Sequence, residues 1–305
     1  IDAKTNSSKI DIDTQSLAVG FDKKLNNNDL LGFALQYGQS DTDVGSNGSG
    51  IDSKNYNLSV YRTRPLEEDN FIEGLIGIGF LENDITRKSD ANTNTGSRKG
   101  NQLFGSVNYG KTIDKGDFNL TPTARVDLGY TELDAYSETG TNALSYDKQT
   151  VESGLASLGL AFNNIVKFEN SSLKPFGSIE YGYDFSNSSD AKMNYVGTAT
   201  NFTVKQSDAS NHLLSSEIGF EFIAKDNLNL TGSYKRTEGD RNISTDAIKF
   251  GLNFKSKQET EYAMTLDGSE DLAAGFNVVK NINGFDLSLN AKQAFNENAD
   301  QAANV

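Results

Sequence analysis

In the segment DLLGFALQYG, Asp29 to Gly38, Leu31, Phe33, Leu35 and Tyr37 fall on one side of an extended chain. Gly32, Ala34, Gln36 and Gly38 fall on the other. A repeat of two is the period of a β-strand, whose successive side chains point to opposite faces. One face of this strand is greasy and the other is small.

The same alternation recurs along the chain. It is carried by Leu17, Val19 and Phe21, by Ile72, Ile76, Ile78 and Phe80, and by Leu120, Ala124, Val126, Leu128 and Tyr130. It continues with Ile179, Tyr181, Tyr183 and Phe185, with Leu214, Ile218, Phe220 and Phe222, and with Ile248, Phe250, Leu252 and Phe254. Helical spacing fits none of these segments, so the chain is read as all-β. Alternation alone leaves two architectures open, because a soluble sandwich and a membrane barrel both need two-faced strands.

The connections separate them. Breaks at Asn26 to Asp29, Pro65 to Asp69, Asp114 to Gly116 and Lys225 to Asn227 are short. They take turns with long polar ones around Asp41 to Ser53, Lys88 to Arg98, Tyr136 to Tyr146 and Asn187 to Asn211. Short turns on one rim and long loops on the other are the pattern of an antiparallel, up-and-down transmembrane β-barrel, with the long loops outside the cell. A sandwich has no reason to sort its loops in this way. If the short turns are periplasmic, Thr14 to Leu25 runs from outside toward the periplasm, and Ile10 to Asp13 is a partial strand or linker.

Composition agrees with a barrel. The 305 residues are only 36% hydrophobic, too polar for a conventional core of that length, whereas a barrel combines an apolar exterior with a wet interior. No run of about 18 to 20 apolar residues occurs, which excludes a transmembrane helix but not strands of about 10 residues each. Cysteine is absent, and His212 is the lone histidine, so disulfides and multi-histidine or thiolate metal sites are excluded. A net charge of −14 disfavours nucleic acid as a partner. The chain begins at Ile1 with no basic and apolar leader, the expectation for a processed chain or a piece of a longer one.

Several stretches together resemble the autotransporter β-domain family. They are DTQSLAVGFDKKLNNNDLLGFALQYGQSDTD at Asp13 to Asp43, Tyr56 to Tyr61, LTPTARVDLGYTEL at Leu120 to Leu133 and LKPFGSIEYGYDF at Leu173 to Phe185. DNLNLTGSYKR at Asp226 to Arg236 and IKFGLNFK at Ile248 to Lys255 complete the set. The resemblance implies an outer-membrane translocator of about twelve strands in a Gram-negative bacterium, a part of type V secretion that anchors and exports a passenger peptide. It implies outer-membrane lipid, the passenger and the barrel-assembly machinery as partners, no cofactor and no catalysis. Two departures stand out. The family ends on a strand with a terminal aromatic residue, here Phe254, yet strand-like segments follow at Tyr262 to Leu266, Leu272 to Val279 and Phe285 to Phe295, with an Ile-Asn-Gly turn at Ile282 to Gly284. These extend the barrel toward fourteen strands or replace strands missing at the front. The family's pore-threading helix is also not visible before Thr14. The division expected is a linker or partial strand over 1–13, a barrel over 14–295 and a polar tail over 296–305.

Placing the greasy face in lipid assigns Leu31, Phe33, Leu35, Tyr37, Ile76, Ile78, Phe80, Phe220, Phe222, Phe250 and Leu252 to the exterior. By the same parity Glu73, Arg125, Asp127, Glu180, Asp184, Glu217, Glu221 and Lys235 line the lumen, where charges avoid a cost of about 2 to 4 kcal/mol in hydrocarbon. They serve either to hold a peptide or set ion preference, or merely to pair with one another and fill the interior. Tyr37, Tyr109, Tyr130, Tyr181 and Tyr234 suit interfacial aromatic girdles, although β-propensity favours the same residues in any strand.

No acid/base site emerges. Glu180 and Asp184, like Glu217 and Glu221, are about 13 Å apart if extended, too far to cooperate. His212 lies beside Asn211 without a nucleophile motif and reads as a rim residue. Asp41, Asp43 and Asp52 faintly resemble a calcium loop, but Gly45 and Ser46 stand where such a loop needs an oxygen ligand and its glycine. Asp267 to Asp271 reads as a polar turn. A passenger-less channel or surface-binding barrel, a soluble all-β binding module and an outer-membrane enzyme are the competing readings.

Overall fold

A computed structural model describes residues 10–25, 28–89, 92–206, 211–224, 228–240, 243–256, 260–268 and 272–295. Fourteen antiparallel strands close into a barrel. The first seven are β1 (Ile10–Lys24), β2 (Leu30–Val44), β3 (Ser49–Pro65), β4 (Asn70–Ser89), β5 (Asn92–Lys111), β6 (Phe118–Leu133) and β7 (Gln149–Asn164). The second seven are β8 (Ser171–Asp184), β9 (His212–Ala224), β10 (Leu228–Gly239), β11 (Ile243–Lys255), β12 (Thr260–Gly268), β13 (Leu272–Ile282) and β14 (Phe285–Phe295). Each strand pairs with its sequence neighbours, and β14 closes on β1 from Gln15 opposite Gln293 to Asp22 opposite Asp286. Closure matters because every unpaired backbone N–H or C=O left in hydrocarbon costs several kcal/mol.

The register explains the alternation. Tyr56, Tyr37, Leu17, Ala291, Phe276, Met264, Leu252 and Leu230 form one cross-strand row over eight consecutive strands. Leu58, Leu35 and Val19 form the next row, and Leu35 is 54% exposed. The large apolar side chains therefore make the outer wall. The small inner face of the first segment has a cause as well. A Cβ at Gly32 would come within 2.4 Å of the Tyr61 ring, which crosses the inner wall to donate to Asp22 at 2.9 Å.

The segments after Phe254 are barrel strands. Their last hairpin turns through Asn283 and Gly284, at φ 55° and 82°, the paired left-handed geometry that favours Asn-Gly in two-residue loops. Ile10 to Asp13 is the start of β1 itself rather than a separate strand. Residues 1–9 of the expected linker, the tail over 296–305, Asn26, the Lys225 to Asn227 break and Ser269 to Asp271 lie outside the described residues.

One rim carries the turns after β1, β3, β5, β7, β9, β11 and β13; the opposite rim carries those after the even-numbered strands and the start of β1. Two expectations about the second rim are corrected. Asp41 to Ser53 is not a loop, and neither are the described residues of Lys88 to Arg98, a range whose 90–91 lie outside the description: β2 and β3 run to a turn at 45–48, and β4 and β5 pair from Asn70 opposite Lys111 to Ser89 opposite Asn92. Away from lipid, a ladder keeps its hydrogen bonds without an apolar face, so polar sequence hides the strands. The other two long connections contain a four-stranded sheet, ordered Asn201–Gln206, Ser189–Tyr195, Leu144–Tyr146, Tyr136–Ser137.

Candidate functional site: a charged inner wall and the sheet above it

On β6, Ala124, Val126, Leu128 and Tyr130 share the exposed face, which leaves Arg125 and Asp127 on the inner one. Arg125 Nε donates to Asp127 at 2.9 Å, and its Nη2 donates to Glu180 at 2.9 Å, across the intervening β7. Ser106 donates to the same Asp127 at 2.6 Å, and Asn108 donates to Glu73 at 2.8 Å. On the next strands Glu217 stands opposite Lys235, while Glu221 is met by Lys174 at 3.7 Å and by the Asn229 amide.

All eight expected lumen residues thus share one face along β4, β6, β8, β9 and β10. Asp184, the last residue of β8, is also engaged locally: its Oδ1 accepts from the Ser186 N–H at 2.9 Å, which shapes the chain's exit from β8. Of the carboxylate pairs considered in the sequence, neither is brought into contact; Glu180 is held by Arg125 instead. His212 sits at the start of β9, its ring against Tyr181 and Tyr183, with Nδ1 2.5 Å from the Tyr181 hydroxyl.

A second polar cluster, hidden from sequence reading, stands where β4 and β5 extend beyond the apolar belt. Arg87 and Arg98 point inward there, on the side of Asn83 and Gln102. Glu138 is almost fully buried and binds Arg87 with Nε–Oε1 at 2.9 Å and Nη2–Oε2 at 2.6 Å. That bond, the largest cause, holds the Arg87 pKa above its usual value. Arg98 donates to the Asp134 carbonyl at 2.8 Å, the Asp147 carbonyl at 3.0 Å and Gln149 at 3.2 Å. Its guanidinium lies 5.5 Å from the centre of the Tyr136 ring, and burial lowers its pKa. Gln149 in turn donates to Ser189 at 2.9 Å, which ties the two long connections to the inner wall. Reading Arg98 as a loop residue concealed it; continuing the parity of β5 through Gln102 and Gly100 would have found it.

The acidic residues weighed as a calcium loop lie in strands. Asp13, Asp41, Asp52 and Asp84 stand side by side in direct register across β1 to β4. Burial, followed by repulsion from Asp52, Asp43 and Asp13, raises the Asp41 pKa. Among the described residues no group of His, Cys, Asp and Glu is arranged to hold a metal ion.

The autotransporter beta-domain family model matches residues 1–235. The chain belongs to that family, and it is a bacterial outer-membrane translocator barrel. Its fold is similar to the translocator domain of the autotransporter NalP from Neisseria meningitidis, at 13% identity and TM-score 0.53, over 95% of this chain and 88% of that one. It is also similar to the toluene transporter TodX of P. putida, at 9% identity and TM-score 0.51, over 96% and 91%. The beta domain of the Bordetella autotransporter BrkA aligns at 12% identity and TM-score 0.48, over 93% and 99%. No curated protein matches the chain.

Proposed function

We propose that the lumen passes or holds the chain's own passenger polypeptide, displayed on the cell surface, with the sheet-bearing rim outside the cell. The observation that carries this reading is the inner wall: Arg125, Asp127, Glu180 and Glu217 face a polar interior, where an extended peptide can exchange its water for side-chain hydrogen bonds. The partners are outer-membrane lipid on the apolar wall, the assembly machinery that inserts barrels, and the passenger; nucleic acid is not one of them. Transport, without catalysis, is the activity.

The test fuses an epitope upstream of Ile1 and expresses the chain in a Gram-negative host. Epitope shaved by external protease from intact cells, with the barrel still heat-modifiable, supports export. A folded barrel whose epitope stays protected removes the reading.

A further inference from the structure

The lipid-facing wall is not smooth. Between β4 and β8 it holds a groove of about 420 Å³, walled by Ile76, Leu103, Leu128, Tyr130 and Phe185. That volume lies within the roughly 300 to 1,000 Å³ of small-molecule sites. The outward row Ile76, Gly105, Leu128 and Gly154 runs through it, with Leu103, Tyr130 and Glu152 in the next row toward the sheet-bearing rim. Gly105 makes the floor. Apart from its chain neighbours, a Cβ there would meet only the Leu75 carbonyl oxygen, at 3.2 Å, so no described side chain fills the space. At the rim end the chain leaving β8 closes the groove. The Phe185 N–H donates to the Gly154 carbonyl at 2.9 Å, the Gly154 N–H donates to Ser186 Oγ at 2.9 Å, and the Phe185 ring lies over Gly154. Asn187 Nδ2 donates to Glu152 at 2.6 Å.

Position sets the class of occupant. This wall is the barrel's interface with lipid, so the groove opens into hydrocarbon, and an acyl chain is what reaches its apolar part. One row nearer the rim the outer face turns charged. Glu132 follows Tyr130 on β6 and is met by Lys148 at 2.6 Å, while Lys99 of β5 meets Glu82 at 3.0 Å. The groove therefore ends where head groups begin, and Glu152 stands at that boundary. An ionised carboxylate only accepts hydrogen bonds, and one that faces lipid needs donors. Asn187 supplies one. The ester linkages of a phospholipid, which lie at that depth, accept as well and supply none. An amide-linked hydroxyacyl chain does supply one, through its N–H or its hydroxyl, and phosphates on its head group would meet Lys99 and Lys148. We propose that the groove binds one acyl chain of a lipid of the lipopolysaccharide type, whose amide or hydroxyl donates to Glu152.

The leaflet rests on the proposed orientation, with the sheet-bearing rim outside the cell; the capacity of the groove does not. The test is native mass spectrometry of the full chain folded in detergent, titrated with lipid A or with phosphatidylethanolamine. One lipid A per barrel is expected, held at least tenfold more tightly than phosphatidylethanolamine. Gly105→Leu fills the floor and should weaken that binding tenfold while the heat shift in SDS is unchanged. Gly74 also faces outward, one row farther from the rim, with only the Ser106 carbonyl oxygen near its Cβ position, so Gly74→Leu should change nothing. Glu152→Val keeps the groove and removes the acceptor, so lipid A should fall to the level of phosphatidylethanolamine. Equal binding of the two lipids, no bound lipid, indifference to Glu152→Val, or equal effects of Gly105→Leu and Gly74→Leu would overturn the inference. Lipid A bound by a barrel that fails the epitope test would retain the groove and remove only the export reading.

Discussion

Arg125 Nη2 lies 2.9 Å from Glu180 Oε1, although the two residues sit on β6 and β8 with β7 between them. Both side chains are about one-third exposed, 36% and 32%, so the pair is screened and contributes little stability, on the order of 1 kcal/mol or less. Its consequence is electrostatic. Arg125→Met should shift the pore toward cations and Glu180→Gln toward anions, read as opposite displacements of the reversal potential in planar bilayers under a salt gradient. Identical reversal potentials for both variants would mean that ions do not pass this wall.

The outer face admits a sharper test. Leu35 pairs with Val19 and Leu58, all on the apolar wall, whereas Ser59 faces inward opposite Ala34. Leu35→Lys or Phe33→Lys should cost about 2 to 4 kcal/mol each if near the bilayer midplane and lower the folded fraction in vesicles. Ser59→Lys should be tolerated. The reverse ranking would mean that the faces are exchanged.

Glu138 is buried against Arg87, which keeps some exposure. Glu138→Gln leaves a guanidinium without its counter-charge, and breaking a buried pair costs up to about 3 to 5 kcal/mol when the remaining charge stays buried. The loss should be local: faster proteolysis within 185–211, with no change in barrel assembly. Unchanged proteolysis would show that the pair does not fasten the sheet.

Asp41, squeezed between Asp13 and Asp52, has its folded-state pKa raised above 3.8. Its stabilising contribution is therefore complete below 3.8 and is lost as pH rises through the raised folded value. Asp41→Asn should slow hydrogen exchange in the β2–β3 hairpin at neutral pH, once corrected for intrinsic rates. The advantage should fade as the medium is acidified. An advantage independent of pH would point to a cause other than the carboxylate row.

Most of the wall was legible in the sequence because lipid imposes a strict period of two, as in Leu31, Phe33 and Leu35. The hairpin at Asn283 and Gly284 was legible because only certain residues accept its left-handed turn. Legibility stopped where the membrane stops. Asp41 to Val44 and Asn92 to Arg98 remain in ladders but have no reason to alternate. The pairing of β14 with β1 joins segments at opposite ends of the sequence, and no local pattern encodes it. The inner wall was legible by parity alone: sequence put Arg125 and Glu180 on one face but did not bring them together, since contact depends on the register through β7.

The central claim is a closed barrel that needs an apolar solvent, and electrophoresis of detergent-folded protein in SDS, with and without boiling, tests it most directly. A compact band that shifts on boiling, from protein that folds only with detergent or lipid, is the expected result. A cooperative fold in plain buffer with no shift on boiling would contradict it.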